Sequence, residues 1–147
     1  MIAKDIMSTN VITVGKETII HDIAKLLTDK NISGVPVVDD SNNILGIITK
    51  NDLIYKDVEV KPPTYFEVLG GVFYLESIKH YEEKLKKFLA NKAEDIMTED
   101  VITITEDTDI KTIAGIMVEK RVNRLPVMKD GKLIGIISRG DIVKSLI

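Results

Sequence analysis

Two seven-residue stretches carry the side chains with most to offer a ligand: Gly46-Ile47-Ile48-Thr49-Lys50-Asn51-Asp52 and Gly135-Ile136-Ile137-Ser138-Arg139-Gly140-Asp141. Each closes an aliphatic run, sets a hydroxyl and a carboxylate three residues apart, and leads into a further apolar segment. A carboxylate accepts two hydrogen bonds from the adjacent hydroxyls of a ribose, and a hydroxyl beside a helix start suits a phosphate or its link to the sugar. Thr49 with Asp52, and Ser138 with Asp141, are therefore candidates for gripping a ribose. The same spacing serves a plainer purpose too, because Asp, Thr and Ser are favoured caps of a helix. Arginine adds a second clue. Arg121, Arg124 and Arg139 all lie near the C-terminal end, whereas lysine is spread along the chain. A guanidinium fork matches phosphate, so Arg124 and Arg139 are candidates for a phosphate clamp, the alternative being surface charges in weak ion pairs. The matching positions in the first stretch are Gly34 and Lys50, and two unequal sites are expected.

The elements that must position these residues follow from an internal repeat. Ala3-Lys4-Asp5-Ile6-Met7 recurs as Ala93-Glu94-Asp95-Ile96-Met97, and the offset of about 90 residues persists through Val35-Pro36-Val37 and Leu125-Pro126-Val127 to the two Gly-to-Asp stretches. In each copy a short β-branched run, Val11–Val14 in the first, precedes apolar positions at helical spacing, with Thr18 and Thr108 as expected N-caps. Two compact apolar runs follow as a hairpin, joined by Asp39-Asp40-Ser41-Asn42-Asn43 in the first copy and by the tighter Asp130-Gly131 in the second. A last helix starts near Asp52 or Asp141. The expected class is α+β: two tandem β-α-β-β-α units over residues 1–58 and 92–147, separated by an insert at 59–91. A unit of some 55 residues buries its aliphatic faces poorly alone, so the copies are expected to pack through their sheets about a pseudo-twofold axis, with two equivalent clefts.

Composition narrows the function. The chain has 147 residues, 44% of them hydrophobic and 29% charged, within the range of globular proteins. A net charge of −3 gives no broad positive field for nucleic acid. The absence of cysteine removes disulfides, thiolate nucleophiles and cysteine zinc sites, and His21 and His80 are too far apart in sequence to suggest a metal centre. No apolar run approaches the ~18 residues of a membrane span, nor does the N-terminus have the layout of a signal peptide, so a cytoplasmic protein is expected. With no Gly-rich phosphate loop, serine elbow or paired-acid site, an enzyme is not expected.

The paired features resemble the CBS domain, named after cystathionine β-synthase, and two in tandem resemble a Bateman module. The likeness rests on the two Asp-Ile-Met segments, on Ser33-Gly34-Val35-Pro36-Val37-Val38-Asp39 and Asn123-Arg124-Leu125-Pro126-Val127, and on the Gly-to-Asp stretches. The resemblance implies a stand-alone regulatory pair and no obligatory cofactor. It implies binding of an adenosine-containing ligand in the clefts, such as AMP, ADP, ATP with or without magnesium, S-adenosylmethionine or, more rarely, NAD or dinucleotides. It also implies a homodimer of modules. Carried over residue by residue, Asp52 and Asp141 are the ribose-binding aspartates, with Thr49 and Ser138 beside them. The adenine slot corresponds to the backbone around Thr13-Val14 and Thr103-Ile104, and around Val35 and Leu125 just before Pro36 and Pro126. Arg124 matches a phosphate-contacting position, where the first copy departs with Gly34.

All four tyrosines and three phenylalanines fall between positions 55 and 88. Lys61-Pro62-Pro63 breaks regular structure, and Leu75, Ile78, Leu85, Phe88 and Leu89 predict an amphipathic helix over about 76–91. That helix is expected to cover an apolar edge of the repeats, the alternative being a dimer or partner interface or a lid. Two functions follow: a ligand sensor that signals to a protein partner by a conformational shift, or a structural interaction module that holds a partner through the insert.

Overall fold

The aspartates of the two Asp-Ile-Met segments set the first turns of the protein. In the computed structural model, which describes residues 1–56, 65–74 and 77–147, the N–H of Ile2 donates to Asp5 Oδ2 at 2.9 Å and that of Lys92 to Asp95 Oδ2 at 3.0 Å. Each bond satisfies a donor at the start of a one-turn helix. The elements in order are α1 (Ala3–Ile6), α2 (Ile20–Asp29), β1 (Gly34–Val38), β2 (Ile44–Thr49), α3 (Lys50–Lys56), β3 (Tyr65–Val68), β4 (Gly71–Tyr74), α4 (Ile78–Phe88), α5 (Ala93–Ile96), β5 (Ile104–Thr105), α6 (Ile110–Glu119), β6 (Arg124–Lys129), β7 (Lys132–Ser138) and α7 (Arg139–Lys144). Outside the insert each copy has the expected mixed composition and the expected helix–hairpin–helix order, preceded by a one-turn helix, and only the second copy has the leading strand, β5. The Lys61-Pro62-Pro63 break, the expected boundary at 58–59 and Leu75 lie outside the described residues.

The chain folds into two compact units, and neither is one copy of the repeat. The first holds Met1–Gly15, Pro36–Ile47 and Thr98–Ile147. Its sheet runs β5-β6-β7, parallel then antiparallel. Ile104, Ile113, Met117, Leu125, Val127 and Ile137 form its core together with Ala3, which comes from the leader of the other copy. That leader is held by backbone: Ala3 N–H donates to the Thr108 carbonyl at 2.8 Å, Lys4 N–H to that of Glu106 at 2.9 Å, and Ser8 bridges Ile136 of β7. Met7 then lies over Gly135, where a Cβ would meet its Sδ at 2.5 Å.

The second unit, Lys16–Val35 and Ile48–Met97, repeats the arrangement with the copies exchanged. Ala93 N–H donates to the Thr18 carbonyl at 2.8 Å and Glu94 N–H to that of Lys16 at 2.9 Å. Ile20, Ile23 and Leu27 of α2 are buried, as are Val35, Ile48, Ala93 and Ile96. Helix α4 packs on α3 and α5. It is shorter than the expected 76–91, and of the expected stripe Leu85 is half-buried while Ile78 and Leu89 are exposed.

Three local expectations are corrected. The helices do not start on Thr18 and Thr108: the caps are Ile19 and Asp109, the latter accepting from Lys111 and Thr112 N–H. Both threonine carbonyls instead receive the incoming leaders. The run Val11–Val14 is not a strand, since only Val14 pairs, with Val37. Pairing begins at Val37 because Pro36 has no N–H to extend it, and β5 likewise begins at Ile104 opposite Val127, one residue past Pro126. The insert also contains a hairpin, β3–β4, that the sequence pattern does not announce. Its turn is Leu69 (φ 51°) and Gly70 (φ 81°), and the same left-handed pair, Asp130 (φ 49°) and Gly131 (φ 75°), makes the expected tight β6–β7 turn.

Two outcomes test this packing. Gly135→Ala should cost about 1–3 kcal/mol in urea unfolding by overpacking Met7, and adding Met7→Ala should recover part of the loss. The N–H groups of Lys92 and Asn91 hold the Asp95 carboxyl below the usual aspartate range. Its contribution to stability is therefore present above that range and lost as pH falls through the lowered value. Asp95→Asn should flatten the acid limb of a stability-against-pH curve.

Candidate functional site

Strand β7 ends at Ser138 and α7 begins at the next residue, which brings Asp141 back over the junction. Ser138 donates to Asp141 Oδ2 twice, from its N–H at 2.8 Å and from Oγ at 2.7 Å. Thr49 donates to Asp52 Oδ2 in the same way, from N–H at 2.8 Å and from Oγ1 at 3.2 Å. The carboxylates do cap their helices. Every one of these bonds falls on one oxygen, so Oδ1 of each aspartate remains able to accept from a ligand while the cap fixes its direction.

The environments of the two differ. Asp52 is buried at 9% exposure and Asp141 is half-buried. Asp141 lines a cavity of about 220 Å³ with Met1, Ile6, Lys144 and Ser145. Sequence reasoning missed those four. Lys144 and Ser145 follow Asp141 by three and four positions on one helix face, a signal that was available. Met1 and Ile6 arrive with the exchanged leader, which no local pattern announces.

Arg139, though only two residues from Asp141, lines a different groove. Its Nη2 approaches the Met117 carbonyl at 3.5 Å, beside an apolar groove of about 460 Å³ formed by Ala114, Met117, Val118, Ile142 and Val143. Arg124 is the cross-strand neighbour of Ser138 and is half-buried. Burial pushes its guanidinium below the ordinary value, since the charged form has lost water. In the first copy Gly34 is buried and Lys50 is exposed.

The remaining candidates are mostly interior. Val14, Val35, Pro36, Ile104, Leu125 and Pro126 are buried, Thr13 is half-buried and Thr103 is exposed. Val35 and Leu125 are wholly enclosed, so what these positions can offer a ligand is main chain rather than side chain. Both histidines are exposed, and no helix among the described residues is long and apolar enough to cross a membrane.

The internal repeat is also what comparison with known proteins finds. The family model of the CBS domain matches residues 3–59 and again 93–147. The chain belongs to the CBS domain family. As a CBS pair it is 32% identical to MJ1426 of Methanocaldococcus jannaschii, over all of this chain and 92% of that protein. Among solved structures it is similar to CBSX2 of Arabidopsis thaliana in complex with AMP, at 26% identity and a TM-score of 0.82, covering 99% of this chain and 95% of the other. It is likewise similar to the CBS domain pair of MJ0100 in complex with 5-methylthioadenosine and S-adenosyl-L-methionine, at 26% identity and a TM-score of 0.73 over 99% and 95% of the two chains.

Replacing the two aspartates should separate their structural shares. Asp141→Ala should lower the unfolding free energy by about 1 kcal/mol, the worth of a cap. Asp52→Ala should cost more, because Asp52 is the more buried of the two and its loss leaves the Thr49 N–H and hydroxyl without their acceptor in a less hydrated site. Equal losses in urea titrations would show that the burial of Asp52 contributes nothing.

Proposed function

We propose that this CBS pair is a regulatory module, not an enzyme, that binds an adenosine-containing ligand at Asp141 and at Asp52 and passes the occupancy to a protein partner. The observation that carries the reading is the pair of fixed carboxylates, each with Oδ2 held by the turn and Oδ1 available to a ribose diol. Its support from relatives is that structures of this fold hold AMP in one case and 5-methylthioadenosine with S-adenosyl-L-methionine in another. Main chain around Thr103-Ile104 and Leu125-Pro126 reads the base in the second copy, and around Thr13-Val14 and Val35-Pro36 in the first.

The two sites are unequal in this reading. Arg124 supplies a half-buried cation beside Ser138, the requirement for a phosphate, whereas Gly34 supplies none. Arg139 and Lys50 are the outer cations of the two stretches. The second copy is therefore the phosphate-bearing site. Modules associate as a homodimer, for which the exposed valines Val118 and Val143 beside the α6–α7 groove offer apolar surface. A partner reads the ligand only by preferring one arrangement of the protein, and linkage then makes the partner tighten the ligand in return.

The decisive experiment is a thermal-shift and calorimetry panel of AMP, ADP, ATP with and without magnesium, S-adenosylmethionine, NAD and guanine nucleotides. Ligand at 100 times its dissociation constant stabilises by about 2.7 kcal/mol, roughly a 5–10 °C rise in Tm at this size. An adenosine ligand should give that rise, Asp141→Ala should remove most of it, and Arg124→Ala should weaken AMP more than S-adenosylmethionine. A chain that no adenosine compound stabilises would instead be an interaction module working through its insert.

A further inference from the structure

The β3–β4 hairpin is sparsely covered. Leu69 at its turn is fully exposed, and Tyr65, Val68, Val72, Phe73 and Tyr74 are each 47–60% exposed. From the size of such side chains, the open surface is on the order of 600 Å², divided between the two faces of the ribbon, with Tyr65, Val72 and Tyr74 on one and Val68 and Phe73 on the other. The register pairs Tyr65 with Tyr74, Phe66 with Phe73, Glu67 with Val72 and Val68 with Gly71. In a hairpin with a two-residue turn the flanking pair is the hydrogen-bonded one, and bonded and non-bonded pairs then alternate. The backbone groups of Phe73 therefore face β3, while those of Val72 and Tyr74 face away from it.

The two edges of this ribbon are not alike. The β3 edge carries Glu67, and an edge charge is a common guard against strand addition. The β4 edge, Gly71–Tyr74, has no charge and no proline. We propose that β4 is a self-association edge, pairing antiparallel with β4 of a second copy to make a four-stranded sheet centred on Phe73. A two-fold axis there lets Val72 and Tyr74 of one copy exchange N–H···O bonds with Tyr74 and Val72 of the other. An uncharged antiparallel strand is complementary to itself, and the isologous contact closes. A lipid surface is a poorer occupant: residues 65–74 contain no basic side chain, Glu67 would have to enter, and the strand edges would lose water without gaining a partner.

This edge is separate from the helical groove proposed for module dimers, and two measurements isolate it. Proline at position 72 removes an outward N–H and leaves the β3–β4 ladder intact. Under sedimentation velocity, Val72→Pro should form assemblies of half the wild-type mass. Because the chain has no cysteine, Phe73→Cys gives a single thiol at the axis, where a non-bonded antiparallel pair brings Cα atoms to about 4.5 Å, within disulfide reach. Phe73→Cys should cross-link between chains under mild oxidation at least about tenfold faster than Leu69→Cys, as a pre-formed contact raises effective concentration. Equal mass for wild type and Val72→Pro, or equal cross-linking of the two cysteine variants, would overturn the proposal. So would co-sedimentation of an unassociated wild type with phosphatidylcholine–phosphatidylserine vesicles.

Discussion

The rest of the fold depends on a backbone exchange. Ala3 N–H reaches the carbonyl of Thr108, and Ala93 N–H reaches that of Thr18. Each bond takes the first turn of one copy and lays it on the helix entry of the other. Ala3 and Ala93 are both wholly buried, and a larger side chain at either would hold the one-turn helix away from its carbonyl partner. A repeat of about 55 residues has too little interior to stand alone, and here the remedy is to complete each unit with the leader of the opposite copy. Sequence repeat and folding unit therefore differ: the segments 1–15 and 36–47 of the first copy belong with nearly all of the second.

One side-chain device is used four times within this frame. Asp5, Asp52, Asp95 and Asp141 each accept a hydrogen bond from the backbone N–H three residues earlier. What distinguishes the leaders from the Gly-to-Asp stretches is the residue that donates. Ile2 and Lys92 offer only an N–H toward the aspartate, and Asp5, which is exposed, and Asp95, which is half-buried, are structural caps. Thr49 and Ser138 add a hydroxyl to the same oxygen, which removes rotational freedom about the carboxylate. A ligand pays less entropy to use a group already fixed in this way. Capping and binding are thus compatible functions of one residue, and the structural role explains the spacing while the second oxygen explains what the spacing makes possible.

Legibility in the sequence followed how local each cause was. Hairpin β6–β7 could be placed because Asp130-Gly131 suits two left-handed residues, and β7–α7 because Ser138 and Asp141 have capping spacing. Hairpin β3–β4 carries no comparable signal, because its turn is Leu69-Gly70 and a leucine in the left-handed region does not announce a turn. The Thr18 and Thr108 caps failed for a non-local reason: both residues have suitable side chains, but their carbonyls are engaged by chain segments some 75 and 105 positions away. The lining of the Asp141 cavity divides in the same manner, with Lys144 and Ser145 readable from helix spacing, and Met1 and Ile6 hidden until the leader is placed.

The proline of each copy ties these strands to the candidate base-binding segment. Pro36 and Pro126 lack the N–H that would let the parallel partner pair any further upstream, so Thr13 and Thr103 precede the first paired residue rather than joining a ladder. Backbone kept out of a ladder has donors and acceptors left for another partner. The aliphatic side chains of Val35 and Leu125, just before the prolines, are sealed in the core. A residue type usually read as a strand breaker thus leaves main-chain hydrogen-bonding groups outside the ladder.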